Sequence, residues 1–244
     1  MFIEPTLFYV FIPLIAFLYS SVGHGGASGY LALMAVFSFP SELMKQTALL
    51  LNLFVAGISF FQYYKAGHFN KKLFLYFALG SVPTAFIGGM WSLDPWLYKK
   101  ILGLILFFAI AKMLFKKENT SKQIKKIPVA LALFIGMGIG FFSGLIGIGG
   151  GIILTPIILL FHWGNMKEAA AVSALFIWVN SLSGLLGQMS SGVNFTSNTF
   201  ILVTLALVGG LFGSYFGSQR WNNRLLEYFL ALVLTSAGIK LILY

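Results

Sequence analysis

Two short stretches hold residues whose types and spacing suggest chemistry. Residues 20–30 read SSVGHGGASGY and residues 143–153 read SGLIGIGGGII, each inside an apolar run. Glycine costs a helix about 1 kcal/mol relative to alanine, so two similar clusters predict two deliberate helix breaks. A half-helix starting at such a break exposes backbone N–H groups that have no intrahelical partner. Its dipole places about half a positive charge at the same end, and glycine lets a ligand approach that backbone. The chemistry is that of an anion receptor without a charged side chain. Its expected substrate-binding residues are Gly25, Gly26 and Ser28 in the first stretch and Gly149, Gly150 and Gly151 in the second. If the two ends meet, one anion lies between them. The competing reading of each cluster is close helix packing.

Neutral polar residues recur at similar distances beyond each cluster. Thr47, Asn52 and Gln62 resemble Ser173, Asn180 and Gln188, and all six are assigned to the binding cavity. The competing reading is helix–helix hydrogen bonding, since polar groups in lipid must find partners. Thr155 lies just past the second break, ready to point a hydroxyl at the anion, and Pro156 predicts a kink. His24, inside the first cluster, is the candidate proton carrier; its counterpart Ile148 cannot titrate. His68 and His162 fall at segment ends, and three scattered histidines make no metal site. Trp178, mid-segment, reads as core or as a cavity wall.

The other functional groups exclude more than they suggest. The six acidic residues, Glu4, Glu42, Asp94, Glu118, Glu168 and Glu227, all lie in expected loops or near segment ends. Intramembrane carboxylates are the usual proton relays and cation ligands, so a cation-binding core is not expected. The chain has no cysteine, which removes thiol catalysis, disulfides and thiolate metal sites. There is no Ser/His/Asp set, HExxH pattern or ATPase motif. The expectation is a protein that is not an enzyme, with no cofactor and no metal.

These residues need elements to hold them. The 244 residues are 59% hydrophobic and only 9% charged, against about 25% charged in soluble domains, and mean hydropathy is +0.91. Lipid is the implied solvent. The net charge of +10 concentrates in KMLFKKENTSKQIKK (112–126), which reads as a cytoplasmic loop and not a nucleic-acid surface. The first twenty residues lack a basic leader and read as a first membrane segment, not a cleaved signal.

Apolar runs fall at about 7–22, 28–39, 46–64, 73–91 and 97–115, then at about 128–146, 150–163, 168–189, 198–218 and 225–243. Gly80, Thr84 and Gly88 match Gly209, Gly213 and Gly217 at one constant offset. The pattern predicts an all-α, polytopic membrane protein with two homologous halves: residues 1–115, a basic loop 116–127, and residues 128–244. A span needs about 20 residues at 1.5 Å each. The first two runs of each half are short, and each pair predicts a glycine-broken helix or a hairpin, followed by three spans. If the halves are inverted, twelve basic residues face the side of the central loop and four the other; parallel halves give ten and six. The positive-inside rule favours inversion.

The stretch GLIGIGGGIILTPIIL (144–159), its weaker copy SVGHGGASGYLALM (21–34) and YYKAGHFNKKL (63–73) resemble the sulfite exporter TauE/SafE family, also called the toluene sulfonate uptake permease family. The resemblance covers most of the chain apart from the central loop. It implies a multi-pass protein of a bacterial or archaeal cytoplasmic membrane, moving sulfite, sulfoacetate or related organosulfonates. His24 and Ala27 depart from the family's pattern in the first copy. The expected partners are a small anion and the lipid bilayer, with a homo-oligomer open. The expected function is secondary transport of a small sulfur oxyanion or organosulfonate; the alternatives are an anion channel on the same scaffold or a non-transporting scaffold protein.

Overall fold

A computed structural model describes residues 5–114, 124–190, 192 and 197–219. The central loop's residues 116–123 and the last apolar run, 225–243, lie outside them. The described residues are helical with no strand: α1 (Pro5–Ser20), α2 (Ala27–Val36), α3 (Ser41–Lys65), α4 (Lys71–Met90), α5 (Pro95–Leu114), α6 (Val129–Ile146), α7 (Gly151–Leu160), α8 (Met166–Met189) and α9 (Ser197–Gln219). Among the described residues, five stretches are long and apolar enough to cross a membrane: α3, α4, α6, α8 and Thr199–Gln219 of α9. The chain is a multi-pass membrane protein.

The short helices form hairpins. Phe8, near the start of α1, lies 5.2 Å from Phe37 and 4.9 Å from Phe39, just after α2. Gly29 of α2 faces Ile15 and Tyr19 of α1. The chain therefore enters on α1, turns at Ser21–Gly26 and returns on α2. The second pair does the same: the Lys125 N–H, before α6, donates to the His162 carbonyl, after α7, at 2.8 Å. Left-handed glycines make both turns, Gly23 and Gly26 in one and Gly147, Gly149 and Gly150 in the other. Irregular backbone at this depth survives only where protein covers it. The last carbonyls before each turn each accept a tyrosine hydroxyl: Ser21 from Tyr63 at 3.0 Å and Ile146 from Tyr98 at 2.9 Å.

The matched small residues of α4 and α9 explain how the hairpins are held. Gly80 and Gly88 lie against the Leu133 and Phe141 carbonyls of α6, and between them Thr84 Oγ1 donates to the Met137 carbonyl at 2.8 Å. Gly209, Gly213 and Gly217 lie against the Pro13, Phe17 and Ser21 carbonyls of α1 and its turn. Contacts step by four residues on both sides, so each pair runs parallel. Lipid offers helices no hydrophobic reason to associate, and close backbone approach through small residues supplies van der Waals contact instead.

At the centre α3 and α8 cross antiparallel. Leu49 meets Gly184, Asn52 meets Ser181 and Gly57 meets Trp178. Each hairpin turn lies against an early turn of the opposite long helix, Gly23 against Ala170 and Gly147 against Lys45.

Two acidic residues near helix starts have local jobs. Asp94 Oδ1 accepts from the Trp96 N–H at 2.9 Å, opening α5. Glu168 and Asn165 form a capping box at α8. Two expectations change. Lys45, which stands just before the third apolar run and counts among the four basic residues facing away from the central loop, is 6% exposed. Helix α3 begins at Ser41, earlier than the apolar run, so Lys45 lies inside it. Its Nζ donates to the Gly89 and Trp91 carbonyls at 2.9 and 3.1 Å, capping the negative end of α4. Trp178 is not a core residue: it is 36% exposed, with its indole against Gly57 of α3.

Candidate functional site at the paired helix breaks

Helix α2 starts after Gly26 (φ +96°) and α7 after Gly150 (φ +80°), neither with a side-chain cap from its own N-cap residue. Both turns converge on two residues of the central pair, Asn52 and Ile177. Gly25 faces the Asn52 Oδ1 and the Ile177 Cγ2; Gly149 faces the Asn52 Nδ2 and the same Ile177 Cγ2. The carboxamide of Asn52 thus fills the gap between the turns. Its Oδ1 accepts from the Ala27 N–H at 3.1 Å, and its Nδ2 donates to Ser181 Oγ at 3.2 Å.

The two half-helix ends consequently differ. Asn52 caps α2. The corresponding position against α7 is Ile177, whose Cδ1 and Cγ1 meet Gly151. An alkyl group accepts no hydrogen bond, so Ile177 gives the start of α7 no cap of the kind that Asn52 gives α2. Sequence matching paired Asn52 with Asn180, but Ile177 takes the corresponding place. Asn180 turns its Nδ2 to its own helix, donating to the Phe176 carbonyl at 2.8 Å, and its Oδ1 is buried without a partner.

Other predicted residues are dispersed. Ser28 Oγ donates to the Tyr19 hydroxyl at 2.9 Å. Thr47 is buried more than one turn before Asn52 on α3. Gln62 and Gln188 lie near the C-terminal ends of α3 and α8. Since these helices are antiparallel, the two glutamines sit toward opposite faces, ten and seven residues from the Asn52–Ser181 contact. They do not meet the breaks; their order along the sequence suggested a common depth that the crossing denies.

Ser173 does reach the site. Thr155 Oγ1 donates to Ser173 Oγ at 2.8 Å and lies 3.4 Å from His24 Nε2, whose Nδ1 is 3.0 Å from the Val22 carbonyl. A carbonyl only accepts, so Nδ1 carries hydrogen. With Thr155 donating to Ser173, an Nε2 that donates to Thr155 makes the ring a cation. A neutral ring reverses both hydroxyls. The three side chains join the first hairpin, α7 and α8 in a chain whose polarity follows one proton.

Ser181 and Ile177 were missed by sequence reasoning. A serine among three in one helix carries no distinguishing signal, and an isoleucine's role here is to supply nothing polar. Replacing Asn52 by Ala leaves the Ala27 N–H and Ser181 without it. The expected cost is about 1–3 kcal/mol, read as a lower thermal midpoint of the purified protein; Ser181→Ala is expected to cost less.

Comparison with known proteins agrees with this architecture. The model of the family described as "Sulfite exporter TauE/SafE" matches residues 8–241. The "Probable membrane transporter protein y4hK" of Sinorhizobium fredii is 35% identical over 235 residues, covering 93% of this chain and 94% of that one. The "Probable membrane transporter protein YjnA" of Bacillus subtilis is 25% identical, over 90% of this chain and 92% of its own. A second Bacillus subtilis protein, "Probable membrane transporter protein YunE", is 27% identical over 80% and 79%. No solved structure gives a significant match.

Proposed function

The chain belongs to the sulfite exporter TauE/SafE family and is a membrane transporter, and from that premise we propose that its cargo is a small sulfur oxyanion or organosulfonate, such as sulfite, moved across the cytoplasmic membrane. The observation that carries the reading is the pair of glycine-broken half-helix starts that converge on Asn52 and Ile177, with no side-chain cap from Gly150 and an alkyl group against Gly151. Such an end attracts an anion without a fixed cation. The binding residues are Gly25, Gly26, Gly149, Gly150 and Gly151, with Asn52, Ser173 and Ser181 beside them.

The halves act as inverted repeats. The exchange of contacts between them and the antiparallel crossing of α3 and α8 support this. Rocking of one hairpin-bearing half against the other opens the breaks to each face in turn. Lys65, Lys71, Lys72, Lys125 and Lys167 lie toward the same face, which by the positive-inside rule is cytoplasmic. Export of an anion then runs downhill on an inside-negative potential, at about 2.3 kcal/mol per charge per 100 mV. The chain carries no catalysis in this reading.

His24 supplies proton linkage. A protonated ring adds positive charge beside the breaks, so anion affinity is expected to rise as pH falls through the imidazole's range and to flatten in His24→Gln. Equal pH dependence in both proteins counts against the role.

The direct test is thermal stabilisation of the purified protein by sulfite, sulfate, thiosulfate, sulfoacetate, taurine, chloride and acetate. A ligand of the folded state stabilises by RT ln(1 + [L]/Kd). Selective stabilisation by a sulfur oxyanion, with saturable flux of the same anion in proteoliposomes, is the expected result. No response to any sulfur anion by a folded sample rejects the cargo; unsaturable flux makes it a channel.

A further inference from the structure

Each half-helix start has a second feature that the function above does not use. Tyr30 of α2 is fully buried, and its hydroxyl has no hydrogen-bond partner. The ring folds back over the break: its Cζ and OH both lie 2.8 Å from where a Cβ on Gly26 would stand. Ser143, in the last turn of α6, is also fully buried, with its Oγ unpartnered. Its Cβ lies 3.5 Å from the Cβ position of Gly150. Gly26 and Gly150 are the left-handed residues that open α2 and α7. Thus each break is paired with a buried hydroxyl that lacks an acceptor.

Burying a hydroxyl unpaired is costly, and cores rarely keep one without a reason. Most other hydroxyls near the breaks are paired. Ser28 bonds Tyr19, Thr155 bonds Ser173, and Ser181 accepts from Asn52. A phenol and a serine hydroxyl are both donors, and the groups beside them are the N-terminal donors of a helix. What is missing at both places is an acceptor. Because the Asn52 carboxamide fills the space between the two glycine turns, a ligand reaches the helix starts from the hydroxyl side.

We propose that the hydroxyls of Tyr30 and Ser143 are direct ligands of the transported anion, each completing a half-site with the helix start it lies against. This rests on the anion reading above and deepens it. The ligand class is an oxyanion with several acceptor oxygens, because one oxygen takes the hydroxyl while others take backbone N–H groups. Two half-sites give the anion a resting place on either side of Asn52 as it crosses.

The test uses Tyr30→Phe, Ser143→Ala and the double variant, with Tyr98→Phe as a control whose lost hydroxyl already has an acceptor. The readout is the thermal midpoint of purified protein, without anion and titrated with sulfite and sulfoacetate. Without anion, both single variants are expected to match or exceed the parent, since an unpaired polar atom is removed. The concentration for half-maximal stabilisation is expected to rise roughly tenfold in each, the scale of one hydrogen bond to a charged group. The double variant should respond more weakly than either. Tyr98→Phe is expected to lose stability and keep the parent's anion response. The proposal is overturned if both single variants titrate like a responding parent, or if both lose stability without anion as Tyr98→Phe does. In either case the anion reading survives. If the parent responds to no oxyanion, both fall together.

Discussion

A leucine at position 150 is expected to leave the protein inserted and folded but to lower anion transport at least roughly a hundredfold. Gly150 has φ +80°, a region where an L-residue costs about 1–2 kcal/mol. A Cβ there stands 2.7 Å from Ile139 Cγ2 and 3.0 Å from Phe176 Cε1, both side-chain ends that can yield. The added strain of overpacking is about 1–3 kcal/mol. A protein with about 5–15 kcal/mol of stability survives that sum. The donors proposed for the anion are not expected to survive it, because the new side chain displaces the start of α7. Losing two hydrogen bonds to a charged ligand corresponds to about a hundredfold or more. Gly67→Leu is the control: φ is +77° and no atom lies within 4 Å of the Cβ position, in the α3–α4 turn. It carries the same backbone strain without touching the site, and transport is expected to persist. Transport at the parent's rate by Gly150→Leu would remove this site from consideration.

The second large effect falls on folding. Gly144→Leu and Gly213→Leu are each expected to prevent recovery of monodisperse protein. A Cβ at Gly144 strikes the Ala85 carbonyl of α4 and comes within 2.8 Å of the Gly89 nitrogen; at Gly213 it strikes the Phe17 carbonyl of α1. These obstacles are backbone, so the helices themselves must separate. Separating them costs the packing that holds each hairpin, which lipid cannot replace. Gly138→Leu, on the same α6 as Gly144 but with nothing within 4 Å, is expected to be tolerated and to gain up to about 1 kcal/mol in helix propensity. Size-exclusion profiles of the three variants, produced in parallel, read the difference. Equal behaviour of Gly144→Leu and Gly138→Leu contradicts the packed interface.

Much of this architecture was legible in the residues themselves. Helix breaks at Gly23–Gly26 and Gly147–Gly150 follow from backbone chemistry that glycine alone supports, so composition reveals them locally. The membrane environment follows from the ratio of apolar to charged side chains. The Gly80/Thr84/Gly88 and Gly209/Gly213/Gly217 ladders are visible as spacing, because helices present every fourth residue on one face. Asp94 and Glu168 lie at segment ends, as their order in the sequence indicates.

Tertiary structure decided the rest. Whether α1–α2 and α6–α7 turn back or run through depends on contacts between Phe8 and Phe39, or Lys125 and His162, which no local rule contains. Lys45 reads only as a charge bordering an apolar run until α4 brings two terminal carbonyls to it. Gln62 and Gln188 look equivalent in order, yet the antiparallel crossing of α3 and α8 sends them toward opposite faces. The difference between Asn52 and Ile177 is the sharpest case. Sequence alone matches asparagine with asparagine, whereas position in space is set by the angle and depth at which two helices cross. That crossing caps one half-helix start with a carboxamide and leaves the other facing an alkyl group. Residue type determined that the chain would break its helices within lipid; only the crossing of α3 and α8 determined that a carboxamide would meet one broken end and an alkyl group the other.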